Sequence, residues 1–364
     1  KPQTPNPKPQ TPNPKPLYPD IIVMKASGIV LTGILSMVLG IVLFHHTVHT
    51  GRERAYTGRH VLMYRQYMDR YGRVYSPSEY MHRLDIFIRN IEYIDRVNRQ
   101  GRGYRLEING YADREIEEIV SSKNIDWKED RGVGNRGEGV KVSAALSPVD
   151  WSVSSYVGVQ GHQQGCFSCY AFTALNALEH RLYARTGERA SLSVQEIIDC
   201  SSDQGNDGCN GGWMHTVYDY VLDNSARVER EQTYPYTAAE SGQCNRSEER
   251  ERLSPELLTG YKRIGQGEYM DYLMSTGPIP SGINIMSLLF YKEGIFSGEC
   301  EEKNNHAVLT VGIGQGEGGQ WYLKVKTSWG SDWGENGYFR IALDASKNNA
   351  LGKCGLGNYA VVPQ

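Results

Sequence analysis

One cysteine and one histidine in this 364-residue chain have the types and spacing for nucleophilic chemistry. Cys169 ends a Gly/Gln-rich loop within GHQQGCFSCYAFTALNALEHRL, residues 161–182. Ala171, Leu175, Leu178 and Leu182 then recur at helical spacing, so Cys169 is expected at or near a helix N-terminus. There, unpaired backbone N–H groups and the helix dipole favour a thiolate. A thiolate needs a base that later protonates the leaving amine, a task suited to His near neutral pH. Of nine histidines, His306 opens the apolar, strand-like run HAVLTVGIG, 137 residues after Cys169. His162 and His180 are nearer in sequence, but His180 lies eleven residues along the helix and is expected to face elsewhere.

All seven cysteines fall after residue 165. An odd count in one region suggests three bridges and one reactive thiol, with the pairing open, rather than reduced thiols of a cytosolic protein. In Gly208-Cys209-Asn210-Gly211-Gly212-Trp213-Met214 the glycines lack Cβ, so an extended peptide backbone can approach closely; an ordinary tight turn would also use them. Runs such as HAVLTVGIG and QWYLKVKTSW alternate or cluster as strands should.

The first half has a different character. Residues 1–20 are a Pro-rich repeat, KPQTPNP twice over and then Lys15-Pro16, expected to be disordered or PPII-like. Within residues 21–46, positions 26–44 are 19 consecutive uncharged, mostly apolar residues, about the length that spans ~30 Å of hydrocarbon. A signal anchor fits this segment better than a cleaved signal peptide, whose apolar core is shorter. Bridged cysteines would then put the C-terminal part on the lumenal side. Residues 55–120 read as charged and helical, and residues 121–145 as a Gly-rich linker open to proteolysis. Glu79, Arg83, Phe87, Asn90, Ile94 and Asn98 follow each other at steps of three or four, on one helix face.

These motifs resemble the papain-like cysteine proteases, specifically the cathepsin L-like subgroup. The six-residue helix pattern is similar to the ERFNIN signature of their propeptides. Glu107-Ile-Asn109-Gly-Tyr111-Ala-Asp113 resembles the GNFD motif that follows, with Glu for Gly and Tyr for Phe. Residues 161–172 resemble the family's nucleophile region. Residues 327–338 match its N-S-W-G-x-x-W-G-E-N-G-Y pattern except at Thr327, where the family has Asn. The resemblance covers residues 60–120 and 146–364. It implies an α+β, two-domain papain-like fold, a helical left domain and a β-barrel-like right domain, with a helical inhibitory prodomain.

The resemblance also implies roles. Cys169 is nucleophile, His306 base, Gln163 the oxyanion-hole amide (with Gln164 the neighbouring register), and Thr327 holds the position that orients the imidazole. Gly211 and Gly212 line the substrate backbone; Trp213, Met214, Ala307, Trp329 and Tyr359 complete the substrate cleft. The implied disulfides are Cys166–Cys209, Cys200–Cys244 and Cys300–Cys354. No cofactor and no metal is implied. The partners implied are protein or peptide substrates, the chain's own propeptide as intramolecular inhibitor, cystatin-like inhibitors, and a membrane through the anchor. The implied product is an endopeptidase made as a single-pass, membrane-anchored latent precursor, its mature form in an acidic lysosome-like or vacuolar compartment or secreted.

Phe167 and Tyr170 depart from the family's Gly and Trp, and with Thr327 they motivate a rival: a relative that binds peptides or inhibitors without efficient cleavage. The net charge of −3 conceals a split. Residues 1–144 carry 22 Lys+Arg against 16 Asp+Glu, and residues 145–364 carry 17 against 26, so the halves should attract. The basic residues are dispersed, which argues against a nucleic-acid partner.

Overall fold

A computed structural model describes residues 57–120, 146–247, 258–343 and 353–364. The prosegment begins with helices α1 (Gly58–Tyr71) and α2 (Pro77–Asn98). Ser76 caps α2 through the backbone N–H of Glu79, and Pro77 supplies a ring pre-set for the first turn. The stripe anticipated on α2 buries Phe87 and Ile94. Phe87 packs against Tyr64 and Tyr67 of α1, at 5.1 and 4.9 Å between ring centres. Its polar members hold the chain that follows. Asn90 donates to the carbonyl of Ala112 at 2.9 Å, and Asn98 both donates to and accepts from the backbone of Leu106, at 2.8 Å each way. Arg83 pairs with Glu79 and Glu118 and donates to the carbonyl of Asp113.

From Leu146 the chain forms β2 (Val149–Asp150), the short α3 (Trp151–Ser154) and the long α4 (Cys169–Thr186). Then come α5 (Val194–Cys200), α6 (Met214–Asp223), β3 (Tyr261–Arg263) and α7 (Gln266–Ser275). The remaining strands are β4 (Ile279–Ile283), β5 (Tyr291–Phe296), β6 (His306–Gln315), β7 (Trp321–Lys326), β8 (Tyr338–Ala342) and β9 (Val361–Pro363). α4 is buried on most of its circumference, with α5 and α6 packed around it in one apolar cluster. It stops at Gly187, whose left-handed φ of 74° suits glycine as a helix terminator. The second half is a sheet whose edge strand β1 (Tyr104–Leu106) is followed in order by β5, β8, β7, β6 and β2, with β4 also on β6. That edge strand comes from the prosegment and pairs antiparallel with β5. Gly294 opposes Tyr104 at φ +94°, and a side-chain carbon there would lie 2.4 Å from the carbonyl oxygen of Gly103, so only glycine permits the close approach.

A buried pin joins the two halves. Lys326 of β7 donates to the carbonyls of Val157, Gly158 and Val159 and to Oδ1 of Asn176 in α4. Nδ2 of the same Asn176 donates to Glu179, which also accepts from the N–H of Leu192. Burial pushes the Lys326 ammonium down and the Glu179 carboxyl up; each charge partly restores the other.

The localisation expected from the apolar run requires correction. No helix among the described residues is long and apolar enough to cross a membrane. The 22-residue α2 has the length but alternates charged and apolar faces, because one side packs and the other meets water. The expected anchor at 21–46, the Pro-rich repeat at 1–20 and the linker at 121–145 lie outside the described residues. The expected attraction between oppositely charged halves also takes a different form. Arg105 pairs with Glu293 across the β1–β5 edge at 2.7 Å, but Lys292 pairs with Glu107 in the opposite sense. Both are exposed pairs, screened by water and salt, and contribute little. Docking rests more on strand pairing, on the N–H of Glu107 to the carbonyl of Phe290, and on Asn109 to the carbonyl of Leu289.

Candidate active site

Cys169 is the first residue of α4, and Ser168 occupies its N-cap position. The helix presents the thiol to the start of β6, where the backbone N–H of Ala307 donates to Sγ at 3.4 Å. His306, the residue before, opens that strand. Cys169 is 8% exposed and His306 1%. The disulfides are Cys166–Cys209, Cys200–Cys244 and Cys300–Cys354, and Cys169 is the one free thiol.

Burial changes the protonation expected from the sequence. The helix terminus and the backbone donors favour the thiolate, yet burial outweighs them and pushes the Cys169 thiol up to about 11. Burial likewise lowers His306 to about 3. In this closed form both groups are neutral.

Gln163 is buried and doubly tied to Ser328: its N–H donates to the Ser328 carbonyl at 2.7 Å, and its Oε1 accepts from the Ser328 hydroxyl at 2.6 Å. Gln164 is exposed, at φ +55°, with its N–H on Nδ1 of His162. The other candidate base, His180, sits against Ser155 and the carbonyl of Tyr156.

Thr327 does not reach the imidazole. Its hydroxyl donates to the carbonyl of Gly337 at 3.1 Å and accepts from the N–H of Trp329 at 3.3 Å. A short β-branched side chain is satisfied by local backbone, where a longer amide could extend outward. Nε2 of His306 accordingly has no hydrogen-bond partner among the described residues. The ring is held by packing instead: Trp329 lies 4.9 Å from it. Tyr111 of the prosegment lies 5.2 Å from the same Trp329 between ring centres, so three tilted rings run in series, Tyr111, Trp329, His306.

Gly211, at φ +119°, and Gly212 lead into Trp213 and Met214 at the start of α6. A side-chain carbon on Gly212 would fall 2.3 Å from Oδ1 of Asn206 and 2.7 Å from the ring of Tyr170. Met214, Ala307 and Tyr359 share one buried apolar cluster with Cys169, and the rings of Trp213 and Tyr359 are 6.4 Å apart. Sequence reasoning passed over several supports. Tyr236 donates to the carbonyl of Gln163 at 2.7 Å and bonds the Ser168 hydroxyl at 2.8 Å, bracing the loop before the thiol. Nothing local marks Tyr236. Ser328 and Lys326 flank Thr327, and their neighbourhood was the available signal.

A thiol at a helix N-terminus, held by the N–H of the residue that follows His306, in a chain with a helical prosegment, defines a papain-type cysteine peptidase, a hydrolase, with its propeptide attached. The chain belongs to the papain family: residues 146–364 match the papain family cysteine protease model, and residues 64–119 match the cathepsin propeptide inhibitor domain. It is similar to fruit bromelain of Ananas comosus, 33% identical over 82% of this chain and 85% of that protein. It is 32% identical to cathepsin Q of Rattus norvegicus, over 83% of this chain and 92% of the other. Among solved structures, a recombinant stem bromelain precursor superposes with TM-score 0.71 at 30% identity, covering 84% of this chain and 99% of that one. Digestive procathepsin L 3 of Tenebrio molitor larval midgut does so at 0.70 and 30%, with the same coverage.

Proposed function

We propose that the chain is a latent cysteine endopeptidase whose prosegment, residues 55–120, covers the cleft of a peptidase domain spanning 146–364, and whose processing site lies in 121–145. The observation that carries this reading is the single free thiol, at the first turn of α4 and against the strand that His306 opens. Once the prosegment leaves and water enters, His306 takes the thiol proton. Sγ then bonds the scissile carbonyl carbon. The side-chain amide of Gln163 and the N–H of Cys169 hold the oxyanion. The C–N bond breaks, the imidazolium gives its proton to the departing amine, and water hydrolyses the thioester to restore the thiol. Gly211 and Gly212 admit the substrate backbone. Trp213, Met214, Ala307 and Tyr359 wall the pocket for the P2 side chain, and Trp329 shields His306. Cystatin-like inhibitors fit the same cleft.

A second reading is supported by the unpartnered Nε2 of His306: a relative that binds peptides but turns them over poorly. The full chain, activated by acid or by limited proteolysis, is assayed on short fluorogenic peptides and labelled with a thiol-directed epoxide. Turnover and labelling, both abolished in Cys169→Ala, support the peptidase. Labelling without turnover supports the second reading. Substantial turnover by Cys169→Ala sinks the assignment of the nucleophile.

A further inference from the structure

Two residues before His306, Asn304 is 1% exposed, and neither Oδ1 nor Nδ2 of its side chain has a hydrogen-bond partner among the described residues. A buried amide with both ends unsatisfied is costly and demands an explanation. Two glycines make room for it. A side-chain carbon on Gly282 would lie 2.4 Å from Nδ2 of Asn304, and one on Gly355, where φ is +70°, would lie 2.6 Å from Oδ1. The carboxamide occupies space that any other residue at either position would contest.

Its placement follows from strand register. Gly282 of β4 stands directly opposite Ala307 of β6. Directly opposed residues of an antiparallel pair project to the same face, so the Ala307 methyl, the bare face of Gly282 and the Asn304 amide share one side of the sheet. The N–H of Ala307 is the donor on the Cys169 sulfur, and the N–H of Gly282 donates to the carbonyl of Tyr359 at 2.9 Å. Ala307, Tyr359, Met214 and Cys169 belong to one apolar cluster. Asn304 is thus a polar group beside an apolar wall that adjoins the nucleophile.

We propose that Asn304 is a specificity-determining residue that selects peptides carrying a neutral amide side chain at P2, glutamine above its near-isostere methionine. The inference rests on the peptidase reading above. An amide offers a donor and an acceptor to a second amide, which satisfies both of its ends. The apolar walls take the aliphatic stem. A site built to hydrogen-bond a substrate disfavours the analogue that leaves its buried group unpaired.

The test uses the full chain after activation and two fluorogenic peptides differing only in Gln or Met at P2. In the wild type, kcat/KM is expected to favour Gln. In Asn304→Met the Gln:Met ratio is expected to fall about tenfold, the size of one net hydrogen bond. A ratio unmoved by the substitution overturns the proposal and leaves Asn304 a structural residue. If Asn304→Met does not fold, the wild-type ratio decides: preference for Gln supports the proposal, and preference for Met overturns it. Absence of turnover on both peptides is instead a failure of the peptidase reading. The Kd values of the two peptides for activated Cys169→Ala then decide the P2 question by the same ratio.

Discussion

At the scale of single residues, the site is a thiol and an imidazole both kept neutral by burial. The consequence for reactivity is direct, because the thiolate is the species that alkylates. In the intact precursor, iodoacetamide should label Cys169 slowly at pH 7–8, with the rate climbing toward about pH 11. After the prosegment is removed and water enters, labelling at neutral pH should accelerate at least tenfold, read by mass spectrometry of the α4 peptide. Equal rates in both forms would show that burial by the prosegment does not control the thiol. The Thr327 hydroxyl is committed to Gly337 and Trp329, leaving Nε2 of His306 unpaired. Thr327→Asn supplies a longer side chain whose amide oxygen is expected to accept from that ring nitrogen. Positioned acid–base groups contribute roughly 10²–10⁴-fold, and restoring the orienting bond should raise kcat about tenfold. An unchanged or lower kcat on the same fluorogenic peptide would mean that packing by Trp329 already suffices.

Among elements, the join between α4 and β7 matters most, since it sets the helix that begins at Cys169 against the sheet that carries His306. Lys326 meets four oxygen acceptors there, three of them carbonyls of consecutive residues. Replacing one member of a buried ionic network strands the others. Lys326→Met should therefore cost roughly 3–5 kcal/mol. Thermal unfolding should register this as a fall in Tm of roughly 10 °C. A fall of only a degree or two would show that Glu179 and the carbonyls find other partners. The helix after Cys169 and the strands in HAVLTVGIG and QWYLKVKTSW were recognisable from periodicity. The pin was not recognisable, because its members lie 150 residues apart and are brought together by packing alone.

For the whole molecule, latency depends on what ties the prosegment down. Arg83 holds the Glu118 carboxyl below the usual carboxylate range, and Arg105 does the same to Glu293. A carboxyl depressed in the folded state contributes stability that is present above its unfolded pKa, about 4.3 for Glu. That contribution is lost as pH falls through the folded value. The precursor should thus be latent near neutral pH and should process itself within 121–145 once pH drops below about 4.3. Arg83→Ala removes the partner of Glu118 and Glu79 and should shift the onset of processing to higher pH. The check is a pH series on the full chain, with and without Cys169→Ala, followed by N-terminal sequencing. Full activity of uncleaved precursor at pH 7 would refute latency, and cleavage far outside residues 120–150 would refute the processing segment.

What sequence alone determined here was local and chemical. The helix start at Cys169, the His306 strand and the α2 face all follow from spacing over short distances, where periodicity and side-chain chemistry act directly, whereas the fold class came from the resemblance to a family. Resemblance to a family added the expected disulfide partners and the oxyanion amide. Tertiary structure decided what depends on enclosure. It reversed the expected thiol shift, because a helix terminus can favour a thiolate only until desolvation exceeds it. It turned Thr327 toward backbone, since a short hydroxyl takes the nearest partners. It also left Asn304 unpaired against Gly282 and Gly355, a fact that no sequence pattern encodes, because an unsatisfied buried amide exists only once the chain has closed around it.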